Sequence, residues 1–269
     1  MFEALQFEFM RNAIVAGLLA AIACGVVGVY VTVKKIVFAS DGIAHFSFGG
    51  VGLGYLIGIN PIWVAMAFTL ASAIGMGFII RRTKLPEDTV IGVLLAMGMA
   101  LGIIFIGLAP GYAPDLFSYL FGNILTVPIS DLILMFVLDG IILILVLALY
   151  KEFLTLCFDE EFGAITGVPV EKLYFLLLCM IALTVVVMIR VVGIILVIAL
   201  LTIPATLARQ FTHNLRTMML LATAFGIIFT FGGIWLSYIL DLASGATIVL
   251  LSGIVLLGSF GFSKLRSKT

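Results

Sequence analysis

The chain alternates long apolar runs with short clusters of charged and turn-forming residues. Nine runs, at roughly 12–33, 41–59, 62–80, 88–108, 131–150, 171–189, 191–208, 217–240 and 246–263, approach the ~20 residues that a bilayer-spanning helix needs. Basic residues fall between them in a regular way. Lys34 with Lys35, Arg81 with Arg82 and Lys84, Lys151 with Lys172, Arg209 with Arg216, and Lys264 with Arg266 and Lys268 make up 12 of the 14 lysines and arginines. Only Arg11 and Arg190 fall elsewhere. Even numbers of apolar runs separate the five groups, so the positive-inside rule places all of them in the cytoplasm. The pattern predicts an all-α, polytopic transmembrane helix bundle of about nine crossings, within a range of about eight to ten. Its amino end lies outside and its carboxyl end is cytoplasmic. Residues 109–130 do not fit a simple loop: APGYAPD is turn-like, while Leu116 to Val127 is apolar but too short to span. A short re-entrant or interfacial helix on the outer side is expected there, with Asp115 and Asp131 as solvated or capping groups.

Composition excludes a water-soluble globule. Hydrophobic residues make up 64% and charged residues 10%, with a mean hydropathy of +1.34, whereas soluble domains carry about 25% charged residues. With the crossings taken out of 269 residues, no second, soluble domain fits, and the chain reads as a single transmembrane domain over 1–269. The opening MFEALQFEFMRN puts Glu3 and Glu8 ahead of its only basic residue, unlike a cleaved signal, so the first apolar run reads as a retained helix. A formal net charge of zero points to no nucleic acid partner. Cys24, Cys157 and Cys179 have no pairing or metal spacing and read as small buried hydrophobes. The sequence lacks GxxxxGK[ST], HExxH and CxxC motifs, so if transport is driven by ATP, another chain hydrolyses it.

Ionisable groups inside the apolar runs are the candidate chemistry, because at membrane depth they are costly and mark ion or substrate paths. Asp41 and His45 stand four residues apart, which on a helix places a carboxylate and an imidazole on one face. That donor pair suits zinc, manganese or iron(II). Ser40-Asp41-Gly42 could instead cap the second helix, and His45 could be a buried histidine satisfied by a carbonyl. Around them Gly50, Gly54 and Gly58 repeat every four residues, beside Gly49 and Gly52, giving a face that another helix can approach closely. Asp139, near the middle of the fifth run, faces either a transport path or a polar partner on another helix. Pro204, flanked by Thr202 and Thr206, predicts a kinked helix that lines a pathway or serves packing. Between Lys151 and Lys172 lies FDEEFGAITGVPVEK, the longest polar stretch on the cytoplasmic side. As a helix it carries Phe158, Phe162 and Ile165 as an apolar stripe, with Asp159, Glu160 and Glu161 at its amino end. Gly163, Gly167 and Pro169 are expected to break or end it. Such a helix either docks in a partner's cleft or lies on the membrane surface.

Taken together, SDGIAHFSFGGVGLGY, EDTVIGVLLAMGMALG, LFSYLFGNIL, FDEEFGAITGVPV, VVGIILVIALLTIPATLARQ and SYILDLASGATIVLLSG resemble, in order and over nearly the whole chain, the membrane permease of ATP-binding-cassette importers for zinc, manganese or iron(II). The resemblance implies that Asp41 and His45 hold the transported ion. It also implies that 151–172 is the cytoplasmic coupling segment, with Phe158, Glu161, Phe162, Ile165 and Gly167 at the ATPase contact. The implied assembly is a homodimer in the lipid bilayer with two ATPase subunits and an extracytoplasmic metal-binding protein. It has no permanently bound cofactor: the divalent metal is cargo, and ATP is bound by the partner. A multi-pass protein of a prokaryotic plasma (inner) membrane is implied. Many members carry Ser-His-Ala-x-x-Pro-Gly where this chain has Ala44-His45-Phe46-Ser47-Phe48-Gly49-Gly50; the implied ligand pair is kept.

Two other classes make different demands. An ion-coupled secondary transporter calls for midplane acids and repeated broken helices. Asp139 fits that, but the two halves show no convincing repeat. A membrane enzyme needs a nucleophile or a closed ligand set, and the chain has two histidines, of which His213 falls in a predicted cytoplasmic turn.

Overall fold

Helices account for the regular structure of the described residues, which in this computed structural model are 7–110, 122 and 124–266. In chain order they are α1 (Glu8–Lys34), α2 (Val37–Ile57), α3 (Pro61–Arg82), α4 (Glu87–Leu108), a 3-10 turn at Ile124–Thr126, α5 (Ile129–Ala148), α6 (Tyr150–Phe158), α7 (Glu160–Ile165), α8 (Val170–Val192), α9 (Ile194–Phe211), α10 (Leu215–Leu240) and α11 (Ser244–Arg266). Most of the segment expected to be re-entrant, including Asp115, lies outside the described residues, as does Lys268.

Eight of these helices, α1, α3, α4, α5, α8, α9, α10 and α11, are long and apolar enough to cross a membrane. This is the predicted bundle, at the lower end of its range. The difference is α2, the second expected crossing. Its 21 residues are long enough to span, but Asp41, His45, two serines and five glycines lower its hydropathy. The exposed residues of α5 include Ile133, Phe136, Val137, Ile144 and Leu147, side chains that a hydrocarbon solvent accepts at no cost.

The described residues within Met1–Thr32, Phe117–Asp139 and Arg190–Thr269 form one compact unit, and those within Val33–Leu116 and Gly140–Ile189 a second. In the first, α9, α10 and α11 pack on one another. In the second, α2 packs on both α3 and α4. The predicted glycine face proves to be two faces. Gly50 and Gly54 turn toward α3, where an added Cβ would stand 2.7 Å from the Ala65 Cα and 2.6 Å from the Pro61 Cα; Gly52 turns toward α4, and Gly49 lies between the two, nearest the Phe68 ring of α3 and next the Gly98 carbonyl of α4. Gly58 is not part of either contact. It ends α2 in the left-handed region at φ 69°, a conformation that glycine adopts without strain.

Both ends of α2 are joined tightly. Only Lys35 and Ile36 separate it from α1, and Lys35 holds a left-handed φ of 60°. At the far end Asn60 caps α3 by accepting a hydrogen bond from the Ile62 amide at 3.1 Å, with Pro61 at the first helical position.

Some polar expectations change. Asp131 is buried, only 7% exposed, in the first turn of α5; of the two roles the sequence left open, solvated or capping, the solvated one is not met. A helix N-terminus tolerates a carboxylate there. The cysteines are free, with Cys24 buried and the other two half-buried. Burial, the leading cause, pushes the Cys157 thiol on α6 up to about 12, leaving it protonated and unreactive. His213 lies exposed in the connector between α9 and α10.

Candidate functional site

Asp41 does not cap α2. The helix begins at Val37 and has no side-chain cap, so Asp41 lies in its second turn, with His45 one turn further on. In the neutral ring, His45 Nδ1–H donates to both Asp41 Oδ1 and the Asp41 carbonyl oxygen, at 3.1 Å each. The Asp41 side chain is 28% exposed and that of His45 22%, so neither is sealed in the core. The packing explains why the pair can sit there. Glycines on the two flanking faces bring α3 and α4 close to α2 and leave its remaining surface to carry polar groups.

The donor separation suits a metal. With ligand bonds of about 2.1 Å, two donors on one ion stand about 3 Å apart, close to the distance now bridged by a proton between Nδ1 and Oδ1. An ion held by Nδ1 and Oδ1 would need the ring proton to move to Nε2, and the second carboxylate oxygen would remain as a further ligand. Among the described residues no cluster of three or more His, Cys, Asp or Glu forms. The ring of Phe46, next to His45, stacks on Phe68 of α3 at 5.0 Å between centroids. Phe46, one of the residues that depart from the related pattern, thus packs against an aromatic ring of α3 beside the site.

Asp139, Thr202 and Pro204 belong to the other compact unit. Asp139 on α5 is 4% exposed, and among the described residues neither carboxylate oxygen has a hydrogen-bond partner, a costly condition for a polar group. Pro204 is buried within α9. Thr202 Oγ1 donates to the Ile198 carbonyl at 2.8 Å, not to the Leu200 carbonyl four residues before Pro204, which the proline leaves without its usual donor.

The 151–172 segment is two short helices meeting at a sharp corner. Asp159 is extended and caps α7, its Oδ1 accepting the Phe162 amide at 2.8 Å. Phe158 therefore ends α6 instead of starting α7. Even so, Phe158, Phe162 and Ile165 are 60%, 58% and 85% exposed, together with Glu161 and Gly167. Gly163 does not break the helix. It is buried where a Cβ would come within 2.8 Å of Thr155 and 3.0 Å of Val170, so it serves close packing. Gly167, at φ 85°, makes the turn that follows. A cleft of about 520 Å³ beside α7 is lined by Arg81, Glu160, Glu161, Pro169, Glu171 and Lys172 among others.

One cluster was not legible in the sequence. Glu160 pairs through Oε1 with Lys34 and through Oε2 with Arg81 Nη2 at 3.2 Å. Lys34 Nζ also donates to the Leu156 carbonyl at 2.9 Å. The Arg81 guanidinium lies 4.5 Å from the centroid of the Tyr174 ring. Partial burial pushes the Glu160 carboxyl up, but the hydrogen bond from Lys34 and the charges of Lys34 and Arg81 outweigh it and hold it below the ordinary carboxylate value. Its partners are 126 and 79 residues away in the chain, with no local pattern to announce them.

These features agree with three comparisons. A cyanobacterial membrane protein, slr2045 of Synechocystis, is 48% identical over 264 residues, covering 98% of this chain and 94% of its own length. The manganese transport system membrane protein MntC of Listeria monocytogenes is 35% identical over 259 residues, covering 96% and 92%. Among solved structures, PsaBC from Streptococcus pneumoniae in complex with Fab superposes with a TM-score of 0.87 at 33% identity, covering 96% of this chain and 94% of that one. With the family model for the ABC 3 transport family matching residues 6–263, the chain belongs to that family, as a membrane-spanning transport permease and not an enzyme.

Proposed function

We propose that this permease carries a bare divalent cation, manganese(II) before zinc or iron(II), through an ATP-driven importer, and that Asp41 and His45 contact the ion in transit. The hydrogen-bonded carboxylate–imidazole pair on a partly accessible face of α2 carries the reading. A site for a moving ion must also be weak enough to release it, and two side chains that otherwise satisfy each other meet that need. Manganese is placed first because relatives covering nearly the whole chain are named as manganese transport proteins. The assembly that fits is a homodimer in a prokaryotic plasma membrane, fed by an extracytoplasmic metal-binding protein, with ATPase subunits against the exposed α7 face and the carboxyl end in the cytoplasm. Asp139 and the Thr202–Pro204 stretch are secondary candidates for the path.

The test is uptake of labelled manganese(II), zinc and iron(II) into vesicles holding the permease, its ATPase and the delivery protein. Accumulation is expected to require ATP and to favour manganese(II). Accumulation that follows a proton gradient without ATP would move the protein to the secondary-transporter class.

A second expected result concerns α7. Phe162→Asp places a charge on an exposed aromatic of the proposed docking face. Buried aromatic anchors contribute about 2 kcal/mol or more at interfaces, so the ATPase is expected to co-purify at a small fraction of its normal level. Unchanged co-purification would remove Phe162 from the contact.

A further inference from the structure

The Lys34–Glu160–Arg81 cluster joins parts of the second compact unit that a docking helix has to move. Glu160 is the first residue of α7. Lys34 is the last residue of α1, three positions ahead of α2, and Arg81 lies in the last turn of α3, against which α2 packs. Both carboxylate oxygens are in use, one on each cation. Lys34 in addition supplies a donor to one of the terminal carbonyls of α6, and the Arg81 guanidinium faces Tyr174 near the start of α8. The head groups are not free surface charges, with side-chain exposures of 14% for Lys34, 31% for Glu160 and 30% for Arg81. An isolated exposed pair contributes little, whereas a shared carboxylate between two partly buried cations fixes relative position as well as charge.

We infer that Glu160 is a positioning residue that passes displacement of α7 to both flanks of α2, and so to the Asp41–His45 pair. The inference rests on the reading of α7 as the ATPase contact but differs from it. Phe162 and Ile165 face outward and meet the partner, while Glu160 faces inward and transmits. Binding of the ATPase and transmission of its motion are therefore separable by substitution.

The experiment uses the reconstituted complex of permease, ATPase and delivery protein with manganese(II) as the probe, and measures ATPase co-purification, ATP turnover and metal uptake together. Glu160→Gln keeps the shape and removes the charge. It is expected to retain ATPase at the wild-type ratio while uptake per ATP falls by about fivefold or more, the lower edge of the coupling range between linked sites. Lys34→Met and Arg81→Met each remove one arm of the cluster, and each is expected to lower uptake per ATP by less than Glu160→Gln, which removes the charge that both arms share. Permease yield and the midpoint of thermal unfolding are measured on the same samples, so that a folding defect is told apart from lost transmission. Unchanged uptake per ATP in Glu160→Gln, or in both single-arm variants, would overturn the positioning role. Loss of ATPase binding in Glu160→Gln would also overturn it, by assigning the residue to docking. Failure of the docking reading itself shows up separately, in ATPase binding that is indifferent to Phe162→Asp.

Discussion

Replacing His45 with Ala is expected to cut ATP-dependent manganese(II) uptake by about 100-fold or more, because losing even the hydrogen-bond partner of a metal ligand costs about 10–100-fold in affinity. Assembly with the ATPase should be unaffected, since the ring donates only within its own helix. Asp41→Asn makes the sharper test. Asparagine keeps an oxygen that accepts from Nδ1–H, so a purely structural hydrogen bond survives the change. A cation site does not, because the charge that favours the ion over a proton is gone. Uptake in Asp41→Asn is therefore expected to fall by about tenfold or more. Full uptake in Asp41→Asn beside a defective His45→Ala would show that the aspartate only holds the ring. Full uptake in both would remove the pair from the path.

The second large effect is on stability. An added Cβ at Gly52 would stand 2.6 Å from the Gly102 carbonyl oxygen and 3.0 Å from the Gly102 Cα. Both neighbours are backbone, so no side chain can swing aside and the two helices have to part. Gly52→Val is expected to cost about 3 kcal/mol, the upper part of the usual range for overpacking, and to lower the midpoint of thermal unfolding in detergent accordingly. Gly92 on α4 provides the control, since an added Cβ there meets nothing within 4 Å. Gly92→Ala is expected to be neutral or to stabilise α4 by about 0.5–1 kcal/mol through its better helix propensity. Equal behaviour of the two variants would show that the α2–α4 contact is looser than described.

What could be read in advance follows the range of the forces involved. Helix positions, most of the helix expected over 158–165 and the helical spacing of the candidate pair all depend on local pattern, and the helices fall where the apolar runs lie. The start of α2 was misplaced by four residues, because Lys34 and Lys35 look like a loop. In the fold Lys34 completes α1, and a single left-handed residue makes most of the turn. Gly163 was read as a breaker because a glycine's role depends on what packs against it, here Thr155 and Val170. The solvated alternative for Asp131 failed because burial is decided by other helices. The Glu160 cluster was invisible for the same reason: its members are far apart in the chain, and only folding brings them together.

The joint between α1 and α2 also restricts how this gene can change. Each residue added to or removed from a helix shifts its phase by about 100°. With only Lys35 and Ile36 between Lys34 and α2, there is no slack to absorb an insertion. One extra residue would either turn Asp41 and His45 about the helix axis, driving side chains into faces kept clear by glycine, or draw Lys34 away from Glu160. Changes of length in this stretch are thus closed off, independently of what each side chain contributes. Homologous permeases should keep the spacing from the basic pair to the Asp-x-x-x-His unchanged, even where the intervening residues differ.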